Sequence, residues 1–172
     1  MSDDTAGGAP GVPEPRWLSA DERQTWLATS RALLILPAAL DAQLQRDASL
    51  TYFEYIVLAM LSERPERALP MSQLSSVVAG SLSRLSNVIK RLEARGYVRR
   101  DGHPADRRVK VVHLEDAGWE ALVAAAPAHV EHVRDLVIDA LRPRELTQLR
   151  NALLKVLDRV DPEGRSVVTD PG

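Results

Sequence analysis

The sequence predicts a mainly α fold with a small β-ribbon wing: a winged helix-turn-helix domain flanked by N- and C-terminal dimerisation helices. Three observations predict it. Leu82, Leu85, Ile89 and Leu92 recur at spacings of three and four, which lines one face of a helix from Leu82 to Arg95. Directly behind, Tyr97 to Arg100 and Val109 to Leu114 are β-branched or aromatic runs on either side of Asp101, Gly102, His103 and Pro104, a turn signal. Long apolar helical periods then recur on both sides of this block, over residues 19–46 and 116–160.

Residues 1–15 are rich in Gly, Pro, Ala and Asp without periodicity, and are expected to be a disordered tail. The N-terminal dimerisation helix is placed within 16–48. Ser19 and Glu22 form a capping box, and Trp26, Leu33, Leu36, Leu40 and Leu44 follow at roughly helical spacing. Pro37 lies inside this helix, so a kink near Leu33 to Pro37 is expected. The winged domain is placed at 49–114. Thr51 and Glu54 form a second capping box for a helix from Tyr52 to about Leu61. Glu63 to Pro70, with two prolines and four charges, reads as a loop. A third helix covers about Ser72 to Val78 and ends in a tight turn at Ala79 and Gly80. Ser81 caps the fourth helix, and Gly96 stands where a left-handed residue closes it.

Residues 115–160 carry the C-terminal dimerisation helices. Trp119, Leu122, Val123, Ala126, Val130, Val133, Val137 and Ile138 form an apolar stripe to about Leu141, which Pro127 should kink or split. Pro143 starts a last helix at a first-turn position, with Leu146, Leu149, Leu153, Val156, Leu157 and Val160 on its apolar side. Residues 161–172 are polar with two prolines and are read as a second disordered tail.

Charge distribution carries more than net charge. The chain sums to −2, which by itself argues against a nucleic-acid partner. From Ser81 to Val112, however, nine Lys and Arg face three acids, about +6, and the remainder is about −8. An acidic body with one basic block is the footprint of a DNA reader with a delimited contact face. There is no cysteine, which excludes disulfides, thiol redox sensing and Cys-ligated metal. The first residues hold no apolar run with a basic flank, so neither signal peptide nor membrane span is expected, and the cytoplasm is the default.

Candidate DNA contacts follow from side-chain chemistry. Ser81, Ser83, Arg84, Ser86, Asn87, Lys90 and Arg91 lie at the start or off the apolar face of the fourth helix. Arg, Lys and Ser suit phosphates, Arg suits guanine, and Asn suits adenine. Asp106, Arg107, Arg108 and Lys110 belong to the wing, whose tip can reach the adjacent minor groove. The competing readings are an amphipathic surface helix with a solvated basic face, and a helical dimerisation protein whose basic wing binds an acidic protein partner.

The terminal helices carry more apolar surface than the winged domain can cover. A homodimer that interleaves them is one solution. It would set two recognition helices about 34 Å apart on a near-palindromic duplex. A larger monomeric bundle is the other.

Helix order, wing position and flanking helices resemble the MarR family of bacterial transcriptional regulators, over about residues 19 to 160. Two motifs carry the resemblance. One is Asp106, Arg107 and Arg108, followed by the strand Val109 to Leu114 and by Gly118 in the next helix. The other is Arg91, Leu92 and Glu93 with Gly96, Val98 and Arg100, matching the family's RLExxGxVxR pattern. The resemblance implies that Ser83, Arg84, Asn87, Lys90 and Arg91 face the major groove. It also implies that one of Arg107 and Arg108 enters the minor groove while the other pairs with Asp106 to stiffen the wing. Glu115 and Arg142 depart from the family, which usually has Thr, and Ser or Thr, at these helix starts.

The family often binds small aromatic or phenolic acids between the dimerisation helices and the winged domain. Trp17, Trp26, Arg31, Tyr52 and Tyr55 are the candidate effector contacts, with core and hinge packing as the alternative. No cofactor is expected beyond such an effector. His129 and His132 have a metal-compatible spacing beside Glu131, but no third ligand converges and no metal site is expected. Without a Gly-rich phosphate loop, nucleophile elbow or cysteine, no enzymatic activity is expected.

Overall fold

Reciprocal capping starts the chain's first helix as the sequence predicts: Ser19 N donates to Glu22 Oε2 at 2.8 Å, and Glu22 N donates to Ser19 Oγ at 3.3 Å. The computed structural model describes residues 15–78, 80–103 and 106–162, with the side chains of residues 103–107 excepted. The expected tails fall almost wholly outside the described residues. Helix α1 spans Ala20–Ala48 and continues through Pro37, where the sequence predicts a kink. The chain divides into two compact units between Leu36 and Pro37.

The first unit ends with the first part of α1, where Trp26, Leu27, Leu33, Leu34 and Ile35 are exposed. Trp26 is therefore not core in the single chain, against the packing alternative drawn from the sequence.

The second unit holds the end of α1, where Leu40, Gln43 and Leu44 are buried, and all later elements. Helix α2 (Tyr52–Ser62) begins with the predicted capping box at Thr51 and Glu54. Strand β1 (Ala68–Pro70), helix α3 (Met71–Val77) and helix α4 (Leu82–Ala94) follow. Then come β2 (Val98–His103), β3 (Asp106–Leu114), α5 (Asp116–Val133), a π-helical turn (Arg134–Ile138) and α6 (Pro143–Val160).

Three corrections concern the elements. The sequence places Ala68 to Pro70 within a loop, but these residues pair antiparallel with β3 in the register Ala68↔His113 and Pro70↔Val111. Three residues ending in proline hold no period that a local pattern can register; the pairing partner makes them a strand. The ribbon strands are also longer than expected. Asp101, Gly102 and His103 belong to β2, and Asp106 to Arg108 belong to β3. The ladder from Val98↔Leu114 to Gly102↔Lys110 extends pairing into the turn signal, with an irregularity at Gly102 and His103. Pro127 neither splits nor ends α5, because Leu122, Ala125 and His129 are buried on both sides of it. The departure from α-helical geometry comes later, in the π-helical turn.

The fully buried side chains include Leu44, Leu50, Val57, Leu58, Leu61, Leu74, Leu85, Ile89, Leu92 and Val112, so α1, α2, α3, α4 and the sheet share one core. Each such Leu contributes about 1.5–3 kcal/mol through burial. Two glycines fix how α4 and α5 meet the sheet. Gly96 has φ of 71° at the end of α4, as its position predicts. At Gly118 a Cβ would stand 2.2 Å from the Tyr97 carbonyl oxygen, so only a hydrogen lets α5 lie this close to the start of β2. At the two family departures, Glu115 makes no side-chain cap bond. Arg142 N instead donates to Glu145 Oε2 at 2.9 Å, which supplies half a capping box at α6.

Candidate nucleic-acid interface

Helix α4 begins at Ser81, whose Oγ accepts from Arg84 N at 3.2 Å and lies 3.2 Å from Ser83 Oγ. Leu85, Val88, Ile89 and Leu92 face the core. Ser83, Asn87 and Lys90 occupy the opposite, exposed face, and Ser86 is half-buried beside them. These four neutral or singly charged side chains make the outward arc of the helix.

Arg84 and Arg91, placed by sequence on the same face, sit at its flank with partners. The Arg84 guanidinium lies 4.4 Å from the centroid of Phe53, the chain's single Phe. Arg91 Nε donates to Glu54 Oε1 at 2.9 Å. Glu54 is buried, and its other oxygen accepts from Thr51 N at 2.9 Å. One carboxylate thus closes the α2 cap and anchors α4. The sequence shows Glu54 only as a capping residue; its link to Arg91, 37 positions on, has no local signal.

Phe53 is the platform under this corner. A Cβ at Gly80 would stand 2.9 Å from Phe53 Cζ, so the glycine lets the turn before α4 reach the ring. Ser75 Oγ donates to the Gly80 carbonyl at 2.5 Å and ties α3 to the same turn.

Leu82 departs from expectation. The period places it with the core residues, yet it is 56% exposed. It lies in the first turn, at the rim of the buried stripe, and the core cover ends at Leu85.

Several cations of the basic block are engaged inside the domain. Arg99 pairs with Asp101 and, at 2.7 Å, with Glu115. Arg100 Nη2 meets Glu93 Oε2 at 2.5 Å, which clamps the end of α4 to β2. Arg95 donates to the Ser49 carbonyl at 2.8 Å and stacks over Tyr97. Lys90 on α4 and Arg108 and Lys110 on β3 are exposed as well. The side chains of Asp106 and Arg107, and hence their expected pairing, lie outside the described residues.

Within the second unit, a cavity of about 630 Å³ separates the end of α1 from α2 and α4. Pro37, Asp41, Tyr52, Phe53, Arg84 and Arg91 are among its lining residues. Asp41 Oδ1 accepts from Tyr52 N at 2.8 Å and holds α1 to the start of α2. Of the five candidate effector contacts, Tyr52 lines this cavity. Tyr55 faces His129 instead, with ring centroids 4.4 Å apart. Trp17, Trp26 and Arg31 belong to the first unit and are exposed. Burial pushes the Tyr52 and Tyr55 hydroxyls above their ordinary pKa.

His129, one of the candidate metal pair, is buried, with Nδ1 3.1 Å from Gln43 Oε1. Burial, and then the nearby His132, hold its pKa below the ordinary value.

A helix pair with an exposed polar arc on its second helix, followed by a basic antiparallel ribbon, defines a winged helix-turn-helix DNA-binding regulator. Comparison with known proteins gives the family. The MarR family model matches residues 48–109. The HTH-type transcriptional regulator PecS of Dickeya dadantii (strain 3937) is 31% identical over 128 residues, covering 74% of this chain and 76% of PecS. Sco3205, a MarR family transcriptional regulator from Streptomyces coelicolor solved in complex with DNA, is 39% identical with a TM-score of 0.83, covering 88% of this chain and 94% of that one. AbsC, a MarR family regulator from the same organism, is 35% identical with a TM-score of 0.80, covering 85% and 98% of the two chains. The chain belongs to the MarR family of transcriptional regulators.

Proposed function

We propose that this regulator is a cytoplasmic, non-enzymatic homodimer that represses transcription from a near-palindromic operator and releases it on binding a small aromatic effector. The observation that carries the DNA-reading part is the arc of Ser83, Ser86, Asn87 and Lys90 on α4, continued by Arg108 and Lys110 on the wing. Lys and Arg supply phosphate contacts and affinity, while the helix sets register and base preference.

The dimer rests on exposed apolar surface. Trp26, Leu27, Leu33, Leu34 and Ile35 on α1 lie bare in the single chain, as do Leu149, Leu153, Leu154, Val156, Leu157 and Val160 on α6. By length and hydropathy alone α1 could cross a membrane, but that would leave the α6 face uncovered. A second copy covers both.

The effector rests on the cavity. Tyr52 and Phe53 offer aromatic walls, and Arg84 and Arg91 offer guanidinium groups, a combination suited to a small aromatic anion. Occupation there would bear on α2 and α4 together, because Glu54 joins them.

The test begins with selection of an operator from a random duplex library. Fluorescence anisotropy then compares it with a scrambled duplex at two salt concentrations. Site-selective binding that weakens with salt supports the reading; equal binding to both duplexes overturns it and favours an acidic protein partner for the wing.

A further inference from the structure

We propose that Leu82 reads the C5-methyl group of a thymine in each operator half-site, by apolar contact on the major-groove floor. Leu82 is the first residue of α4 and is 56% exposed, although its period assigns it to the buried face. Helical side chains lean toward the N-terminus of their helix, so this isobutyl group projects at the leading end of α4. That end is the part of a recognition helix that meets base edges.

Its neighbours sharpen the assignment. Ser81 Oγ is occupied in capping Arg84 N and lies beside Ser83 Oγ. Arg84 is held over Phe53, and Arg91 is held by Glu54. The two arginines of α4 that could fork onto guanine are thus drawn to the flank. The outward arc keeps Asn87, which suits adenine, and at the rim beside it the leading turn carries Leu82, an exposed apolar group. Among base edges in the major groove, only thymine offers an apolar methyl to such a group. The inference rests on the DNA-binding reading and adds to it a residue and a base.

The experiment uses the full chain and an operator obtained by selection. Each thymine of the operator is replaced in turn by deoxyuridine, which removes the methyl and leaves every base-pair hydrogen bond in place. Wild type, Leu82→Ala and Leu82→Met are compared by anisotropy, with circular dichroism melting to verify that each variant is folded. Loss of one methyl contact corresponds to about a fourfold weakening. The expected result is one symmetry-related thymine pair at which uracil weakens wild type and Leu82→Met by about fourfold per half-site. Leu82→Ala should bind thymine and uracil operators alike. The inference is overturned if no thymine responds, or if the responding thymine affects Leu82→Ala as much as wild type. If selection enriches no operator at all, the regulator reading falls first and takes this inference with it.

Discussion

Arg91 Nε lies 2.9 Å from Glu54 Oε1, and this contact makes the buried capping carboxylate of α2 also the anchor of the DNA-facing helix α4. A carboxylate enclosed here is stabilised by two donors on different elements, Thr51 N and Arg91 Nε. Removing the carboxylate frays a helix start and releases an arginine toward the cavity and the DNA face.

Glu54→Ala should therefore lower stability by about 2–4 kcal/mol, a lost cap plus a lost charge-assisted hydrogen bond. Glu54→Gln keeps an acceptor for the cap and should lose less. Urea unfolding of the two variants checks this; equal losses would show that the cap acceptor contributes nothing beyond the charge on Glu54.

Lys90→Ala should weaken binding to all duplexes alike and reduce the slope of log K against log salt by about one. Asn87→Ala should instead erode selectivity, by about 1–3 kcal/mol at one adenine of the operator. Salt titrations on specific and scrambled duplexes separate the two. An unchanged salt slope in Lys90→Ala would remove that residue from the phosphate contacts.

Acid should destabilise the fold through His129. Unfolded, this residue titrates near the ordinary histidine value of about 6.5; folded, burial and His132 hold it lower. Between those values the unfolded chain binds the additional proton, so stability is complete above the ordinary value and declines as pH falls toward the folded one. His113 adds in the same direction, through burial and the nearby Arg99. Melting temperatures from about pH 8 to about pH 5 should fall less for His129→Gln than for wild type. Parallel curves would assign the slope elsewhere.

Gly118→Ala should cost about 2–3 kcal/mol, because the new Cβ meets the Tyr97 backbone oxygen rather than a movable side chain. Thermal melts measure it. A neutral result would mean that α5 can shift from β2 without loss.

The sequence shows the helices clearly, because caps and periods are local. Ser19 with Glu22, Thr51 with Glu54, and Gly96 each act within one turn, and each is found where the pattern predicts. What escapes is long-range. Strand β1 exists through pairing with residues beyond α4 and β2. The contacts of Arg91 with Glu54 and of Arg84 with Phe53 likewise join residues far apart in sequence. Leu82 fits the helical period but not the depth of the core, which periodicity does not encode. Charge counting likewise overstates the DNA face, since Arg99 and Arg100 have acidic partners within the domain.

The sheet order β1-β3-β2 also sets a sequence in time. Strands β2 and β3 are chain neighbours and can zip as a hairpin, whereas Ala68 reaches His113 only after α3, α4 and β2 have been laid down. Loop-closure entropy makes that third strand the last to join during folding and the first to detach under stress. Amide hydrogen exchange should accordingly be faster in β1 than in the β2–β3 ladder. The wing can thus keep its hairpin while its inner seam opens, a partial unfolding that spares the DNA-contacting edge.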